Sequence, residues 1–76
     1  MAIVRHLEQL QLQNVASHTD TECTYCIVED DEGNRFLQID TYGSPERKLF
    51  GKKSQSIRFA SSAARELRVI LDRHFR

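Results

Sequence analysis

Two cysteines and a histidine are the side chains in this sequence best suited to metal or redox chemistry. Cys23 and Cys26 form a C-x-x-C in the segment TECTYC, and His18 lies five residues before the first thiol. The surrounding β-branched and aromatic residues predict a strand, on which positions i and i+3 face opposite sides and lie about 10 Å apart. Two such thiols can neither share a metal ion nor close a disulfide. We therefore expect packing or surface cysteines, and neither a metal nor another cofactor.

The hydroxyl, imidazole and carboxylate groups form no catalytic pattern either. Four serines lie between residues 54 and 62, but none of them is in a nucleophile elbow. His6, His18 and His74 lack an acid at the spacing of a base and its orienting partner. The acids Glu29 to Glu32 lack the spacing of a calcium loop, so a solvated turn is the better interpretation. The sequence thus predicts a protein that is not an enzyme and has no small-molecule substrate.

Positive charge is concentrated in one part of a chain that has no net charge. Residues 1–45 carry two arginines against eight acids, whereas residues 46–76 carry nine arginines or lysines against three acids. The stretch RKLFGKKSQSIRF, residues 47–59, contains no acid at all. Because each cation that neutralises a phosphate releases condensed counterions, this stretch predicts a binding site for an anionic polymer. Its cations are Arg47, Lys48, Lys52, Lys53 and Arg58.

Size and composition predict one small soluble domain. A chain of 76 residues, 39% of them hydrophobic and 29% charged, is too short for two separate cores, so residues 1–76 are assigned to a single domain. A core of this size leaves little stability in reserve, which favours a homodimer. No segment resembles a signal peptide or has an apolar run long enough to cross a bilayer. We expect a cytoplasmic protein with no membrane partner.

Hydrophobic periodicity predicts four strands. Residues 8–16 alternate as a strand, while the spacing of Val4, Leu7 and Leu10 leaves a helix as the alternative for this stretch. Residues 22–29 and 35–42 are the next two strands, and the fourth, SQSIRFA, covers residues 54–60 after an irregular loop.

Turn and helix signals complete the predicted fold. Gly33 and Asn34 are expected to supply the positive φ angles of a tight hairpin between the second and third strands. A helix is predicted over residues 61–75, with Ser61 or Ser62 as its N-cap. The predicted core consists of Leu37, Ile39, Ile57, Leu67, Ile70 and Leu71.

The order of these elements resembles the positive cofactor four family of transcriptional coactivators, which are small single-stranded-DNA-binding modules. Three segments carry the resemblance, and together they run from about residue 23 to residue 71. CTYCIVEDDEGNRFLQIDTY is similar to the family's second and third strands, FGKKSQSIRF to its entry into the fourth strand, and SSAARELRVIL to its helix. The resemblance implies an α+β fold, in which a four-stranded antiparallel sheet is followed by one C-terminal helix. It also implies a homodimer through that helix.

The family's binding residues can be carried over at a few positions. Lys52 and Lys53 match its paired basic residues after a glycine, and Tyr42 matches an aromatic at the end of its third strand. Phe36 shares a strand face with Tyr42, so both rings are predicted stacking surfaces, whereas the face on which Tyr25 lies depends on the strand register. Two departures weaken stacking, which contributes about 1–3 kcal/mol per base: an acidic hairpin replaces an aromatic and a lysine, and a glycine replaces a tryptophan after Tyr42.

Two functions follow from these patterns. The first is a nucleic-acid-binding module, for single-stranded DNA or alternatively RNA, with little sequence preference and a role in transcription regulation. The second is a protein-interaction or regulatory subunit whose charge-split surface meets another chain without nucleic acid.

Overall fold

The computed structural model describes residues 1–12, 16–18, 20–42 and 53–75. Its elements, in chain order, are β1 (Ala2–Val4), β2 (Cys23–Glu29), β3 (Arg35–Tyr42), β4 (Lys53–Ala60) and α1 (Ser61–His74). The strands form one sheet in the order β1-β4-β3-β2. β3 pairs antiparallel with both β2 and β4, while β1 pairs parallel with β4. The fold is therefore α+β, a four-stranded mixed sheet followed by one C-terminal helix.

The first predicted strand is wrong, and with it the expectation of a purely antiparallel sheet. Residues 8–12 and 16 are not in a strand, and residues 13–15 lie outside the described part of the chain. Leu10 and Leu12 are exposed, so the alternation of residues 8–12 buries no apolar face. The strand is instead β1, where Ala2, Ile3 and Val4 pair with the middle and end of β4. The other three strands and the helix are confirmed to within one residue at each end.

The hairpin between β2 and β3 is built around Asp30 and Gly33. Gly33 has a φ of 85°, as predicted, and its N–H donates to the Asp30 carbonyl at 3.1 Å. No described non-glycine residue has a positive φ, so that prediction is wrong for Asn34. Asn34 acts through hydrogen bonds: its N–H donates to Asp30 Oδ1 at 2.9 Å and its side-chain amide to Asp30 Oδ2 at 3.0 Å. The Asn34 side-chain bond is the largest of several that hold the pKa of Asp30 below its ordinary 3.8.

The helix start is tied to the rest of the chain through two serines. Neither caps the helix, because the N-cap is Ala60, which has no side-chain capping bond. Ser61 Oγ donates to the Arg35 carbonyl at 3.0 Å, and Ser62 Oγ donates to the Arg5 carbonyl at 2.8 Å. The predicted capping role is thus replaced by bonds that fix α1 to β3 and to the segment after β1.

Burial decreases along the helix. Ala63 is fully buried and Leu67 is half-buried, but every residue from Arg68 to Phe75 is exposed. Only the first half of α1 therefore packs against the rest of the chain.

The most buried part of the sheet differs from the predicted core. Ile70 and Leu71 are exposed, and the predicted core residues of the sheet are only half-buried. The strongly buried side chains of β3 are on its other face: Phe36, Gln38, Asp40 and Tyr42. Two of these are polar, which hydrophobicity alone would place in solvent.

Candidate nucleic-acid interface

The strand register places three predicted site residues on one face of the sheet. Phe36 pairs with Ala60, Gln38 with Arg58, and Tyr42 with Lys53. Because side chains alternate along a strand, the even-numbered residues of β3 share a face with Arg58. We call it the Arg58 face; it consists of Phe36, Gln38, Asp40, Tyr42, Ser56 and Arg58.

A hydrogen-bonded network crosses this face between β3 and β4. Ser56 Oγ donates to Asp40 Oδ1 at 2.5 Å, and Gln38 Nε2 lies 3.1 Å from each Asp40 carboxylate oxygen. Arg58 Nε donates to Gln38 Oε1 at 2.8 Å. Since the amide nitrogen of Gln38 faces a carboxylate, its oxygen must face the arginine. Asp40 therefore orients Gln38, and Gln38 in turn positions Arg58; we call these four residues the β3–β4 network.

Among the described residues, Gln38 alone bonds the Arg58 guanidinium. Its Nε is bonded to Gln38, and no described carboxylate lies within ion-pair distance of it. The side chain is half-buried, which limits its freedom without removing it from solvent. A guanidinium presents its donors in a rigid planar fork that matches the oxygens of a phosphate. The arrangement thus holds a half-buried guanidinium in place through Nε, and no described residue bonds its terminal nitrogens.

The two aromatic residues on this face are buried. Phe36 is 7% exposed and Tyr42 is 8% exposed. The Tyr42 hydroxyl lies 2.9 Å from Thr24 Oγ1, and the Thr21 hydroxyl bonds the Tyr42 carbonyl. In this conformation neither ring offers a free surface for a base. Tyr25 is 75% exposed, but it pairs with Ile39 and so lies on the opposite face.

Most of the predicted basic stretch precedes β4. Lys53 begins this strand, and its backbone pairs with Tyr42. Arg47, Lys48 and Lys52 lie outside the described residues. The structure therefore brings together Arg58, Phe36 and Tyr42, with the backbone of Lys53 beside them.

The candidate metal ligands stay apart. Cys23 and Cys26 are free and exposed, and they pair with Thr41 and Gln38, which places the thiols on opposite faces as predicted. Within the described ranges, no group of three or more His, Cys, Asp or Glu residues could hold a metal ion. No described helix is long and apolar enough to span a membrane.

The β3–β4 network was missed in the sequence. Gln38 and Asp40 alternate with Leu37 and Ile39, a pattern that is typical of a strand with one solvated face. The available signal was the pairing of this polar alternation with Ser56 and Arg58 on β4, but it becomes visible only once the register is known.

Comparisons with known proteins identify no relative: no family model matches the chain, and neither does any curated protein or solved structure. The α+β fold and the Arg58 face are therefore the features from which a function can be inferred. The resemblance to the positive cofactor four family stays a prediction.

Proposed function

We propose that the protein is a cytoplasmic nucleic-acid-binding module that binds single-stranded DNA with little sequence preference and acts in transcription regulation. The observation that carries this proposal is the positioned guanidinium of Arg58. Gln38 accepts a hydrogen bond from its Nε at 2.8 Å, and no described carboxylate forms an ion pair with it. An arginine that only closed a structural ion pair would have an acid at this distance.

In the proposed binding mode, phosphate contacts supply most of the affinity for nucleic acid. Arg58 would donate hydrogen bonds from its terminal nitrogens to a phosphate, and Lys52 and Lys53, six and five residues before it in the sequence, would add further contacts. Phosphate contacts position a strand but carry no base information, which accounts for the low sequence preference. Because Phe36 and Tyr42 are buried, stacking contributes little. The affinity should therefore depend steeply on salt.

We also propose that the module is a homodimer formed through the second half of α1. Leu67 and Leu71 lie four residues apart on one side of the helix, and Phe75 directly follows its last residue. Leu71 is 44% exposed and Phe75 is 71% exposed, so the end of α1 presents apolar side chains that a second copy would bury.

The test is the salt dependence of oligonucleotide binding, measured by fluorescence anisotropy with single strands of several sequences between about 20 and 200 mM KCl. We expect similar affinities for all sequences. Replacing Lys52 and Lys53 with alanine should flatten the plot of log affinity against log salt by about 0.7 per lost contact. A single-stranded RNA of the same length distinguishes the DNA proposal from its RNA alternative.

The same experiment can refute the proposed nucleic-acid binding. A wild-type protein that binds no oligonucleotide at the lowest salt would refute the proposal. The basic surface would then be assigned to the second function, a subunit that contacts another protein.

A further inference from the structure

The outer edge of β2 presents backbone hydrogen-bonding groups that no other described backbone group bonds. The Tyr42 N–H donates to the Glu22 carbonyl at 3.2 Å, and the Asp30 N–H donates to the Asn34 carbonyl at 3.0 Å. In an antiparallel ladder the residues that bond the neighbouring strand alternate. Even-numbered residues of β2 therefore bond β3, and the N–H and C=O groups of the odd-numbered residues point away from the sheet. These residues are Cys23, Tyr25, Ile27 and Glu29.

This edge is long, and none of the described segments covers it. β2 is the last strand of the sheet, with seven residues, and no described backbone group bonds its outer side. Tyr25 is 75% exposed and Ile27 is 59% exposed. Both side chains lie on the face opposite Arg58, next to each other along the strand. An exposed strand edge with apolar side chains is a template for an additional strand.

Acidic residues flank the edge at both ends. Asp20 and Glu22 precede β2, and Asp31 and Glu32 lie in the turn that follows it. Glu29, the last residue of β2, is already ion-paired with Arg35 at 3.0 Å. No lysine or arginine occurs between Arg5 and Arg35. A strand that docks here therefore meets apolar side chains at its centre and negative charge at both ends.

The same charges disfavour a second copy of β2 as the occupant. An antiparallel pairing of two β2 strands centred on Cys26 would align their full lengths. It would also set Glu22 of one copy opposite Asp30 of the other, at both ends of the contact. Like charges opposite each other destabilise a strand pair. A second copy of β2 would therefore meet like charge at both ends of the edge, whereas a basic partner would meet opposite charge.

We propose that the outer edge of β2 binds an extended peptide segment of another protein, with apolar residues at alternate central positions and basic residues at both ends. The segment adds a strand to the sheet through the outward groups of Tyr25 and Ile27 and their neighbours. Its apolar side chains pack on Tyr25 and Ile27, while its basic ends lie near the acids of the flanks. This surface is separate from the Arg58 face, so it does not depend on nucleic-acid binding.

The probe is a labelled synthetic peptide, Lys-Lys-Val-Thr-Val-Thr-Val-Lys-Lys, capped at both termini. Binding is followed by fluorescence anisotropy, and the site by amide hydrogen exchange. The peptide should slow the exchange of the Tyr25 and Ile27 N–H groups, since these point outward. The Thr24 and Cys26 N–H groups already bond β3 and should change little.

Two control peptides separate the contributions. One replaces the lysines with glutamates, which reverses the charge. The other keeps the lysines but carries proline at the central positions, which removes the backbone donors. Both should bind at least tenfold more weakly than the probe. The glutamate peptide is repelled by the acids around β2, and the proline peptide loses backbone hydrogen bonds that each contribute about fivefold in affinity.

Ile27→Pro is the protein variant that tests the edge. Its N–H points outward, so proline removes an outward donor and leaves the β2–β3 ladder intact, as edge strands tolerate. We expect about a tenfold loss of peptide affinity for Ile27→Pro. Ile27→Ala keeps the N–H and should lose much less. Asp31→Asn with Glu32→Gln should weaken the probe and flatten its salt dependence, while the melting temperature stays close to that of wild type.

Three results would overturn the proposal. The first is a probe that does not bind at low salt, and the second is equal binding of the proline-containing control, since charge alone would then suffice. The third is a dimer that Ile27→Pro converts to a monomer, which would assign the edge to a second copy. If Ile27→Pro does not fold, the exchange of the Tyr25 and Ile27 amides in the wild-type protein decides the question: unchanged exchange on saturation excludes the edge.

Discussion

The charge of Arg58 and its positioning can be separated by two substitutions in the β3–β4 network. Arg58→Gln removes the charge. Gln38→Met keeps the charge and the side-chain length at position 38 but removes the acceptor that holds Arg58 Nε at 2.8 Å. If the network positions the arginine for phosphate, Arg58→Gln should change the salt dependence of binding, whereas Gln38→Met should change mainly the affinity.

The expected magnitudes follow from the contacts. Arg58→Gln loses one phosphate contact per protomer, so the slope of log affinity against log salt should fall by about 0.7 per protomer and about 1.4 for a homodimer. Gln38→Met leaves the slope nearly unchanged. Its affinity should fall about fivefold to thirtyfold, because binding must then order a free arginine side chain at a cost of about 1–2 kcal/mol.

Gln38→Met also has a stability cost that must be measured alongside. Asp40 is 3% exposed and loses both bonds from Gln38 Nε2. Asp40 keeps the bond from Ser56 Oγ, but a buried carboxylate that loses two of its hydrogen bonds is destabilised by about 1–3 kcal/mol, so urea unfolding should show a loss in that range. Binding is then compared at a temperature where both variants are folded.

Arg65→Gln is the matched control for loss of a single cation. Arg65 is exposed on α1 and has no described bond to the network. It should change affinity and slope less than Arg58→Gln does. The reasoning is refuted if Arg58→Gln leaves the slope unchanged, or if Gln38→Met lowers the slope as much as Arg58→Gln does.

Three further predictions concern stability and assembly. Because the pKa of Asp30 is lowered in the folded hairpin, its contribution is present above 3.8 and is lost as pH falls through the lowered value; Asp30→Ala should lower the melting temperature at about pH 7, and the difference from wild type should shrink as the pH is lowered below 3.8. Ala63 is fully buried, so Ala63→Leu should destabilise the fold by about 1–3 kcal/mol in chemical denaturation, and a neutral result would show spare room beside the helix. Leu71→Glu with Phe75→Glu should give a monomer by light scattering at micromolar concentration, with circular dichroism unchanged; a dimer that survives both changes excludes α1 as the contact.

Local sequence patterns were sufficient for three strands, the hairpin and the helix. β3 has the predicted bounds because its alternation is regular and because turn residues bound it on both sides. Gly33 marked the hairpin, since a positive φ is accessible to glycine without steric cost. β1 could not be predicted in this way. It has three residues and no alternation to recognise, and its parallel pairing with β4 joins positions more than fifty residues apart.

The candidate site was predictable in its arrangement but not in its burial. Strand parity correctly placed Phe36 and Tyr42 on one face. Whether an aromatic on a strand is covered depends on segments distant in sequence, and the two rings are buried. The burial of the polar residues between them, Gln38 and Asp40, was not predicted for the same reason. Their network needs the β3–β4 register, which no local pattern encodes.

The two proposed surfaces should influence each other through charge. The acids at the two ends of β2 are two strand spacings across the sheet and three or more residues along it from Arg58, about 14 Å or more. A unit-charge pair at that distance contributes about 0.3 kcal/mol in water before screening. The acids around β2 therefore oppose an oligonucleotide on the Arg58 face, and a bound peptide with four lysines would neutralise them. Saturating the protein with the basic probe should raise oligonucleotide affinity about threefold to fivefold at low salt, and this gain should fade near physiological salt.

The coupling must be reciprocal, so bound oligonucleotide should raise peptide affinity by the same factor. Direct attraction between peptide and oligonucleotide is controlled for by repeating the titration with Ile27→Pro, at a peptide concentration that saturates the wild-type protein but not the variant. The variant should bind the oligonucleotide normally and show a smaller gain from the peptide. Competition between the two ligands would mean that they share one surface. That result would contradict the placement of the basic-peptide site on the edge of β2, away from Arg58.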